Sequence, residues 1–157
     1  MAQKVATDSE EPLSLTNVTT YQSGVSQASA FRVVKRHTAL ALRDFNLSCM
    51  QWFTIGTVLD AGNNGIRISD LAQKLDTTLA YMTTTVNQLE SRKILVKRAH
   101  EYDARTRLVS IKPSYIKTCN IIEQTLRGKL KKVLYQNINN QELTTYVKVL
   151  YKISTLG

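Results

Sequence analysis

Apolar residues recur at helical spacing over most of the chain, and this pattern predicts a mainly helical protein. Between residues 18 and 45 the apolar positions follow an approximately helical period, and Gly24 is the single glycine in that stretch. A second apolar helix is predicted over residues 47–61, with Ser48 as its N-cap and with Trp52, Phe53, Ile55, Val58 and Leu59 facing the core. Two glycines and two asparagines at residues 62–65 then break the pattern, and a short strand is predicted over residues 66–68.

The middle of the chain predicts two short helices followed by a charged hairpin. Ser69 is the expected N-cap of the first helix, and Thr78 precedes the second. The second helix is predicted to bury one face, formed by Leu79, Met82, Val86 and Leu89. Strands are predicted over residues 94–98 and 106–111, joined by a polar tip. A helix, a turn, a second helix and a basic two-stranded wing form a layout typical of DNA-binding proteins.

Two further helices are predicted after the hairpin. Pro113 suits the first turn of a helix, and helical spacing then continues to Leu134. Residues 136–140 break the run, and residues 141–153 resume it. Together with the first helix, these helices would form a dimerisation bundle if two chains paired their apolar stripes. A bundle within one chain would have the same pattern.

Composition and charge narrow the classes of function. A chain of 157 residues with 43% hydrophobic residues is long enough for one globular domain. The net charge of +9 favours a polyanionic partner, with nucleic acid first and an anionic membrane surface second. The sequence has no glycine-rich phosphate loop, catalytic triad pattern or metal-ligand cluster, so we predict no enzyme, no catalytic residue, no metal and no cofactor. No apolar run suits a membrane span or signal peptide, which predicts a cytoplasmic protein without membrane contact.

The helix-turn-helix and the hairpin supply the candidate DNA-binding residues. Threonine, asparagine and glutamine can bind base edges, with asparagine or glutamine holding adenine through both amide groups and threonine methyls touching thymine methyls. Arg105, at the hairpin tip, is the best candidate to enter an A·T-rich minor groove. Such residues are also typical of solvated surfaces and edge strands, but their combination favours DNA. The full predicted set is Thr77, Thr78, Tyr81, Thr83, Thr84, Asn87, Gln88, Arg92, Lys97, Arg98, Arg105 and Arg107.

The stretch from residue 47 to residue 111 resembles the winged helix-turn-helix of the MarR family of bacterial transcriptional regulators. The matching residues are Leu47-Ser48, Gln51-Trp52, Leu71-Ala72, Leu75, Thr83, Val86, Leu89, Glu90, Asp103, Arg105 and Leu108-Val109-Ser110-Ile111. The sequence departs from the family pattern in two places. Lys93 stands where the family usually has glycine at a turn, and Lys112-Pro113 with Tyr115 replace the threonine and glycine that often follow the last strand.

The resemblance implies a fold, a partner and a form of control. It implies a mainly α fold with a small β-wing (α+β), with a dimerisation helix at 17–45, a winged helix-turn-helix at 46–112 and C-terminal dimerisation helices at 113–157. The polar, slightly acidic composition of residues 1–16 predicts a flexible arm before them. By the same resemblance, Asp103 orients Arg105, and a homodimer places two recognition helices one DNA turn apart. An effector pocket would be lined by Tyr21, His37, Trp52 and Phe53, which also fit ordinary core packing. The function implied is a ligand-responsive repressor of double-stranded DNA, and the alternative is a non-specific architectural nucleic-acid-binding protein.

Overall fold

The computed structural model describes residues 18–100 and 103–156, and side chains within these ranges except those of residues 100 and 103–106. The described elements confirm a mainly α fold with a small antiparallel sheet. The helices are α1 (Thr20–Leu42), α2 (Cys49–Asp60), α3 (Ile68–Lys74), α4 (Leu79–Ser91), α5 (Ile116–Val133) and α6 (Asn140–Ser154). The strands are β1 (Ile66–Arg67), β2 (Leu95–His100) and β3 (Asp103–Ile111).

The chain divides into two compact units, residues 1–34 and residues 35–157. In the first unit, the described residues form the N-terminal part of α1, and Tyr21 is exposed there. The second unit holds the other helices, the sheet and the buried core, so the candidate site described below lies within it.

The three strands pair in the order β1-β3-β2, and both pairings are antiparallel. Val109 of the central strand β3 pairs with Ile66 of β1 on one side and with Lys97 of β2 on the other. Both hairpin strands extend further toward the tip than the sequence predicted, since β2 reaches His100 and β3 begins at Asp103. Ladder pairing satisfies backbone groups whatever the side chain, so a polar tip can continue a strand that hydrophobic alternation does not mark.

The core of the second unit lies between α2, α3, α4, α5 and the sheet. Its fully buried side chains come from every one of these elements: Ile55, Val58, Leu71, Met82, Val86, Leu89, Val109 and Ile122. These apolar side chains hold α4 by one face. The opposite face of α4 is therefore turned to solvent.

Two helix boundaries follow the predicted capping. The Ser48 hydroxyl accepts from the backbone N–H of Gln51 at 3.1 Å, and the Gln51 side chain accepts from the backbone N–H of Ser48 at 3.1 Å. This reciprocal capping box satisfies two backbone donors at the start of α2. Pro113 opens a short 3-10 turn, Pro113–Tyr115, that leads directly into α5.

Three sequence expectations about this unit are wrong. Ser69 is not an N-cap, because β1 runs straight into α3 with Arg67 at the cap position. Leu79 is 56% exposed, since as the first residue of α4 it lies at the edge of the packed layer. On α2 the predicted core residues Ile55 and Val58 are buried together with Thr54, but Phe53 and Leu59, predicted on the same face, are exposed.

Among the residues with positive φ, Lys93 and Gly65 lie in turns that bear on the sequence analysis. Lys93 has φ of +60°, as the glycine usual at that position in the family would suggest. Gly65 has φ of +70°, and a Cβ there would lie 2.8 Å from Ser110 Oγ and 2.9 Å from the Val109 carbonyl oxygen. Glycine is therefore required at position 65 by both conformation and space.

The helix α6 differs from the others in that none of its residues is buried. Leu143, near its start, is half-buried, and five large apolar side chains that follow at helical intervals are exposed: Tyr146, Val147, Leu150, Tyr151 and Ile153. We call these five residues the α6 stripe. Exposed apolar side chains grouped in this way are typical of interaction surfaces.

Candidate nucleic-acid interface

The start of α4 is fixed by a side-chain cap. The Thr78 hydroxyl accepts from the backbone N–H of Tyr81 at 3.2 Å. Thr85 and the apolar residues Met82, Val86 and Leu89 are buried. The cap fixes where the helix begins, and the buried face fixes how it is rotated about its own axis.

The outward face of α4 carries most of the predicted base-reading residues. Ala80, Tyr81, Thr84, Asn87 and Gln88 are exposed, while Thr77 and Thr83 are half-buried. Ala80, Thr84 and Gln88 are separated by four residues each and so form one row along the helix. Leu79 and Ala80 are exposed at the N-terminal end, which periodicity did not indicate because Leu79 fits the apolar repeat.

The threonine hydroxyls of α4 bond to the helix backbone. The hydroxyl of Thr83 donates to the Leu79 carbonyl at 2.8 Å, and that of Thr84 donates to the Ala80 carbonyl at 3.1 Å. Thr85, which is buried, bonds in the same way to the Tyr81 carbonyl at 3.0 Å. Each hydroxyl proton is therefore used within the helix.

Both amide side chains of the outward face bond to neighbouring elements. Asn87 Oδ1 accepts from Lys97 Nζ of β2 at 2.5 Å, and the same ammonium pairs with Glu90 at 2.7 Å. Gln88 Oε1 accepts from Nε2 of Gln51, on α2, at 3.2 Å. These bonds tie the recognition face of α4 to the wing on one side and to α2 on the other.

Two predicted phosphate-binding arginines are also anchored within the protein. Arg92 donates through Nη2 to the Phe45 carbonyl at 3.2 Å. Arg98 donates to the carbonyls of Asn63 and, at 2.7 Å, of Asn64. A guanidinium has five N–H donors, so each arginine keeps donors for a phosphate while one of its nitrogens is held in place.

The remaining wing predictions fall in different places. Arg107 is exposed and has no hydrogen-bond partner among the described side chains. The side chains of Asp103 and Arg105 lie outside the described part of the structure, and the predicted orienting contact between them stays a prediction. No group of side chains that could hold a metal is present within the described residues.

Sequence reasoning missed a polar cavity beside the end of α4. It has a volume of about 580 Å³ and is lined by Arg43, Asn46, Leu47, Ser48, Gln51, Gln88, Ser91 and Arg92. In the sequence, Ser48 was predicted only as a helix cap, and both Ser48 and Gln51 appeared as matches to the family pattern. Their place beside Gln88 follows from the packing of α2 against α4, which lies 37 residues away in sequence at this contact.

Comparison of the sequence with models of protein families gives no match, and comparison with curated proteins gives none. Solved structures do match. A MarR-family transcriptional regulator from Rhodococcus sp. RHA1 superposes with a TM-score of 0.78 at 12% identity, over 88% of this chain and 96% of its own. The chain has the MarR fold. Identities this low establish the fold alone.

Two other solved structures with the MarR fold were determined with bound molecules. CouR from Rhodococcus jostii RHA1, bound to p-coumaroyl-CoA, has a TM-score of 0.74 at 13% identity, over 93% of this chain and 98% of its own. A mutant of MarR from E. coli, complexed with operator DNA, has a TM-score of 0.68 at 18% identity, over 87% of this chain and 99% of its own. The resemblance recognised in the sequence is confirmed at the level of the fold.

Three of the four candidate effector residues lie in the unit of residues 35–157, where they line two different cavities. Trp52 and Phe53 line a cavity of about 540 Å³, with Thr38, Glu123, Leu126, Arg127, Leu130, Lys131, Tyr135, Ile138, Asn140 and Leu143. His37 lines a different cavity of about 350 Å³, together with residues of α5. Tyr21 belongs to the unit of residues 1–34. The wall of the cavity next to Trp52 and Phe53 includes the positively charged side chains of Arg127 and Lys131. It also includes the Tyr135 phenol, whose pKa is raised by burial and by neighbouring Tyr146.

Both cysteines are buried. Burial raises the pKa of the Cys49 thiol, an effect that nearby Lys35 partly offsets. Burial also raises the pKa of the Cys119 thiol. Both side chains are therefore thiols rather than thiolates at neutral pH, which favours packing over reactivity. No helix within residues 18–100 and 103–156 has the length and apolar character needed to span a membrane.

Proposed function

We propose that this chain is a sequence-specific double-stranded DNA-binding transcriptional regulator that acts as a homodimer, with repression as its mode of action. The observation that carries the proposal is the outward face of α4. The helix α4 is held by its buried apolar face and its N-terminal cap, which leaves a row of small and polar side chains exposed to solvent. A basic hairpin follows this helix directly in the chain. A helix of this shape fits the major groove while the hairpin lies over the flanking backbone.

The charge distribution supports binding to a polyanion. Residues 92–107 contain six lysines and arginines against two acidic residues. Lys97 is neutralised locally by Glu90, whereas Arg92 and Arg98 bond to uncharged carbonyls and keep their full charge. Contacts from such cations to phosphates would supply affinity and register, and the face of α4 would supply the choice of sequence.

The α6 stripe supports the homodimer. Five large apolar side chains are exposed in a row on a helix without a buried residue, and a second copy of the chain would cover them. A two-fold axis through such an interface would present two α4 helices to successive major grooves about 10 base pairs apart. A pseudo-palindromic operator follows, and repression would act by blocking access of polymerase.

The first experiment is selection of random duplexes on the purified protein at physiological salt. We expect a two-fold symmetric motif with half-sites about 10 base pairs apart. Arg105→Ala and Arg107→Ala should weaken binding and reduce its salt dependence, while leaving the central bases of the motif unchanged. Lys148→Ala is the matched control, since it removes one exposed positive charge on α6, away from the hairpin.

The alternative is a non-specific architectural protein. It would also bind DNA in a salt-sensitive manner, but random selection would recover no motif. That result, with a folded protein, would overturn the proposed regulator. A symmetric motif unaffected by either hairpin variant would instead limit the role of the wing.

The cavity next to Trp52 and Phe53 supports control by a small molecule. Its volume of about 540 Å³ lies within the usual range for ligand sites, and its wall combines aromatic side chains with Arg127 and Lys131. Glu123 pairs with Arg127 at 3.1 Å, which leaves Lys131 as the cation without an acidic partner among the described residues. The chemistry favours an anionic aromatic effector, whose binding would move the two winged units apart and release DNA.

A panel of aromatic carboxylates and their neutral amides tests this control. The carboxylates should raise the melting temperature and weaken operator binding, and the amides should do neither. Lys131→Gln should remove the difference between the two sets. Equal responses to carboxylates and amides, or no response to either, would contradict an anionic effector in this cavity.

A further inference from the structure

The outward face of α4 offers an unusual set of chemical groups for a helix rich in threonine, asparagine and glutamine. Residue types alone suggest a mixture of hydrogen-bond donors and acceptors for base edges. The bonds that these side chains make within the protein remove much of that mixture. What remains on the face decides which base it can recognise.

The threonines contribute methyl groups more than hydroxyl donors. Thr84 lies in the middle of the exposed row, and its hydroxyl proton is used on the Ala80 carbonyl at 3.1 Å. Ala80, four residues earlier in the same row, is exposed and carries only a methyl group. The two exposed residues that carry these methyl groups are thus one turn apart on the same row, toward the N-terminal end of the helix that usually reaches the bases.

The two amides contribute donors more than acceptors. Asn87 Oδ1 is occupied by the Lys97 ammonium at 2.5 Å, which can only donate. The Gln51 oxygen accepts from the Ser48 backbone N–H, so Gln51 must present its NH₂ group to Gln88 Oε1. Both amide orientations are thereby fixed. Among the described residues, the NH₂ groups of Asn87 and Gln88 have no partner.

This arrangement disfavours the adenine contact expected from the sequence. An asparagine or glutamine holds adenine by accepting from N6 and donating to N7 with the same amide. Here each amide oxygen already has a protein partner, while the nitrogen is available. In the major groove, thymine presents the O4 acceptor and the C5 methyl group, cytosine presents a donor, and guanine presents two acceptors without a methyl.

We propose that α4 selects thymine through its C5 methyl group, which packs against the methyl groups of Ala80 and Thr84 while the Gln88 amide donates to a neighbouring O4. The proposal rests on the proposed DNA-binding function and specifies which bases the recognition helix reads. Thymine is the one base that matches both the methyl groups and the free donors. Guanine matches the donors alone.

The experiment removes single methyl groups from the DNA. Each thymine of the selected operator is replaced in turn by deoxyuridine, which keeps base pairing and O4 and lacks only the C5 methyl. At one or two positions in each half-site, we expect affinity to fall about fourfold, the effect of one buried methyl group. Replacement in both half-sites should multiply the losses to about tenfold or more.

Two matched variants of Thr84 identify the group on the protein. Thr84→Ser keeps the hydroxyl and its bond to the Ala80 carbonyl and removes only the methyl group. Thr84→Val keeps methyl groups and removes the hydroxyl. We expect Thr84→Ser to have a smaller preference for thymine over uracil than the wild type, with the remainder due to Ala80, and Thr84→Val to keep the full preference. Circular dichroism checks that both variants remain folded.

The outcomes separate this inference from the function on which it rests. Recovery of no motif in the selection would overturn both. A motif whose affinity is unchanged by every uracil replacement would overturn the methyl contact and leave the regulator intact. Loss of binding in Thr84→Val, with Thr84→Ser unchanged, would assign the contact to the hydroxyl and also overturn it. A thymine preference that is kept in Thr84→Val and reduced in Thr84→Ser would support it, whereas a preference undiminished in Thr84→Ser would overturn it.

Discussion

The helices α4 and α6 are both amphipathic, but the apolar face of α4 is buried and that of α6 is exposed. In α4 the residues Met82, Val86 and Leu89 are fully buried within one chain. In α6 no residue is buried, and Tyr151 is 70% exposed. The polar face of α4 and the apolar face of α6 are both exposed in the single chain. The comparison teaches that α4 is positioned by burial of its apolar face within its own chain, whereas the apolar side of α6 has no such burial.

The largest expected effect is on dimer stability, from a substitution in the apolar face of α6. Leu150→Asp places a carboxylate in the proposed dimer interface, and we expect the dimer to dissociate at least about a thousandfold more readily, or about 4 kcal/mol. Sedimentation measures the association, and circular dichroism checks that the helices persist. Lys148→Asp, which changes another exposed position of the same helix, should leave the dimer intact. A dimer that survives Leu150→Asp would mean that α6 is not the interface.

The next prediction compares the two faces in the monomeric Leu150→Asp protein. Leu89→Ala should lower the free energy of unfolding by about 3 kcal/mol, since it leaves a cavity under α4. Val147→Ala should change it by less than about 0.5 kcal/mol, because the side chain is exposed there. Denaturant titration gives both values. Equal losses would mean that α6 packs against its own chain.

Several caps and turns could be predicted from the sequence because neighbouring residues determine them, although the cap predicted at Ser69 was wrong. Ser48 caps α2 through a residue three positions away, and Pro113 opens the turn before α5. The family pattern placed Lys93 at a turn that usually holds glycine, and its φ of +60° agrees. Caps and turns of this kind involve side chains and backbone within a few residues.

Features that depend on distant residues could not be predicted in the same way. The helical periodicity predicted that Leu79 is buried, but as the first residue of α4 it lies at the edge of the core and is exposed. Nothing in the sequence indicated that Lys97 and Gln51 would occupy the amide oxygens of Asn87 and Gln88. The chemical character of the recognition face is set by these tertiary bonds and by threonine rotamers, so residue types alone overstate its hydrogen-bonding capacity.

A smaller loss of stability is expected from a substitution at Gly65, which lies beside strand β3. Gly65→Ala should lower the free energy of unfolding by about 2 kcal/mol or more, from left-handed strain together with crowding against Ser110 Oγ and the Val109 carbonyl. Gly62→Ala is the control, because Gly62 has φ of +59° with open space around it, and should cost only about 1 kcal/mol. Thermal unfolding compares the two. Equal losses would show that Ser110 and the backbone move aside without cost.

The smallest expected effect lies in the turn that follows α4. Lys93 adopts φ of +60°, a conformation that strains residues with a Cβ. Lys93→Gly should relieve that strain and, after the entropy that glycine loses on folding, raise the free energy of unfolding by about 0.5 kcal/mol. Lys93→Ala removes the same charge and retains the Cβ, so it should leave stability nearly unchanged. If alanine stabilises as much as glycine, the gain comes from the lost charge beside Arg92 and not from the backbone. A gain confined to glycine would show that packing of α4 against the core holds the turn after it in a strained backbone conformation. The exposed α6 has no comparable strain to relieve, because no residue of it is buried.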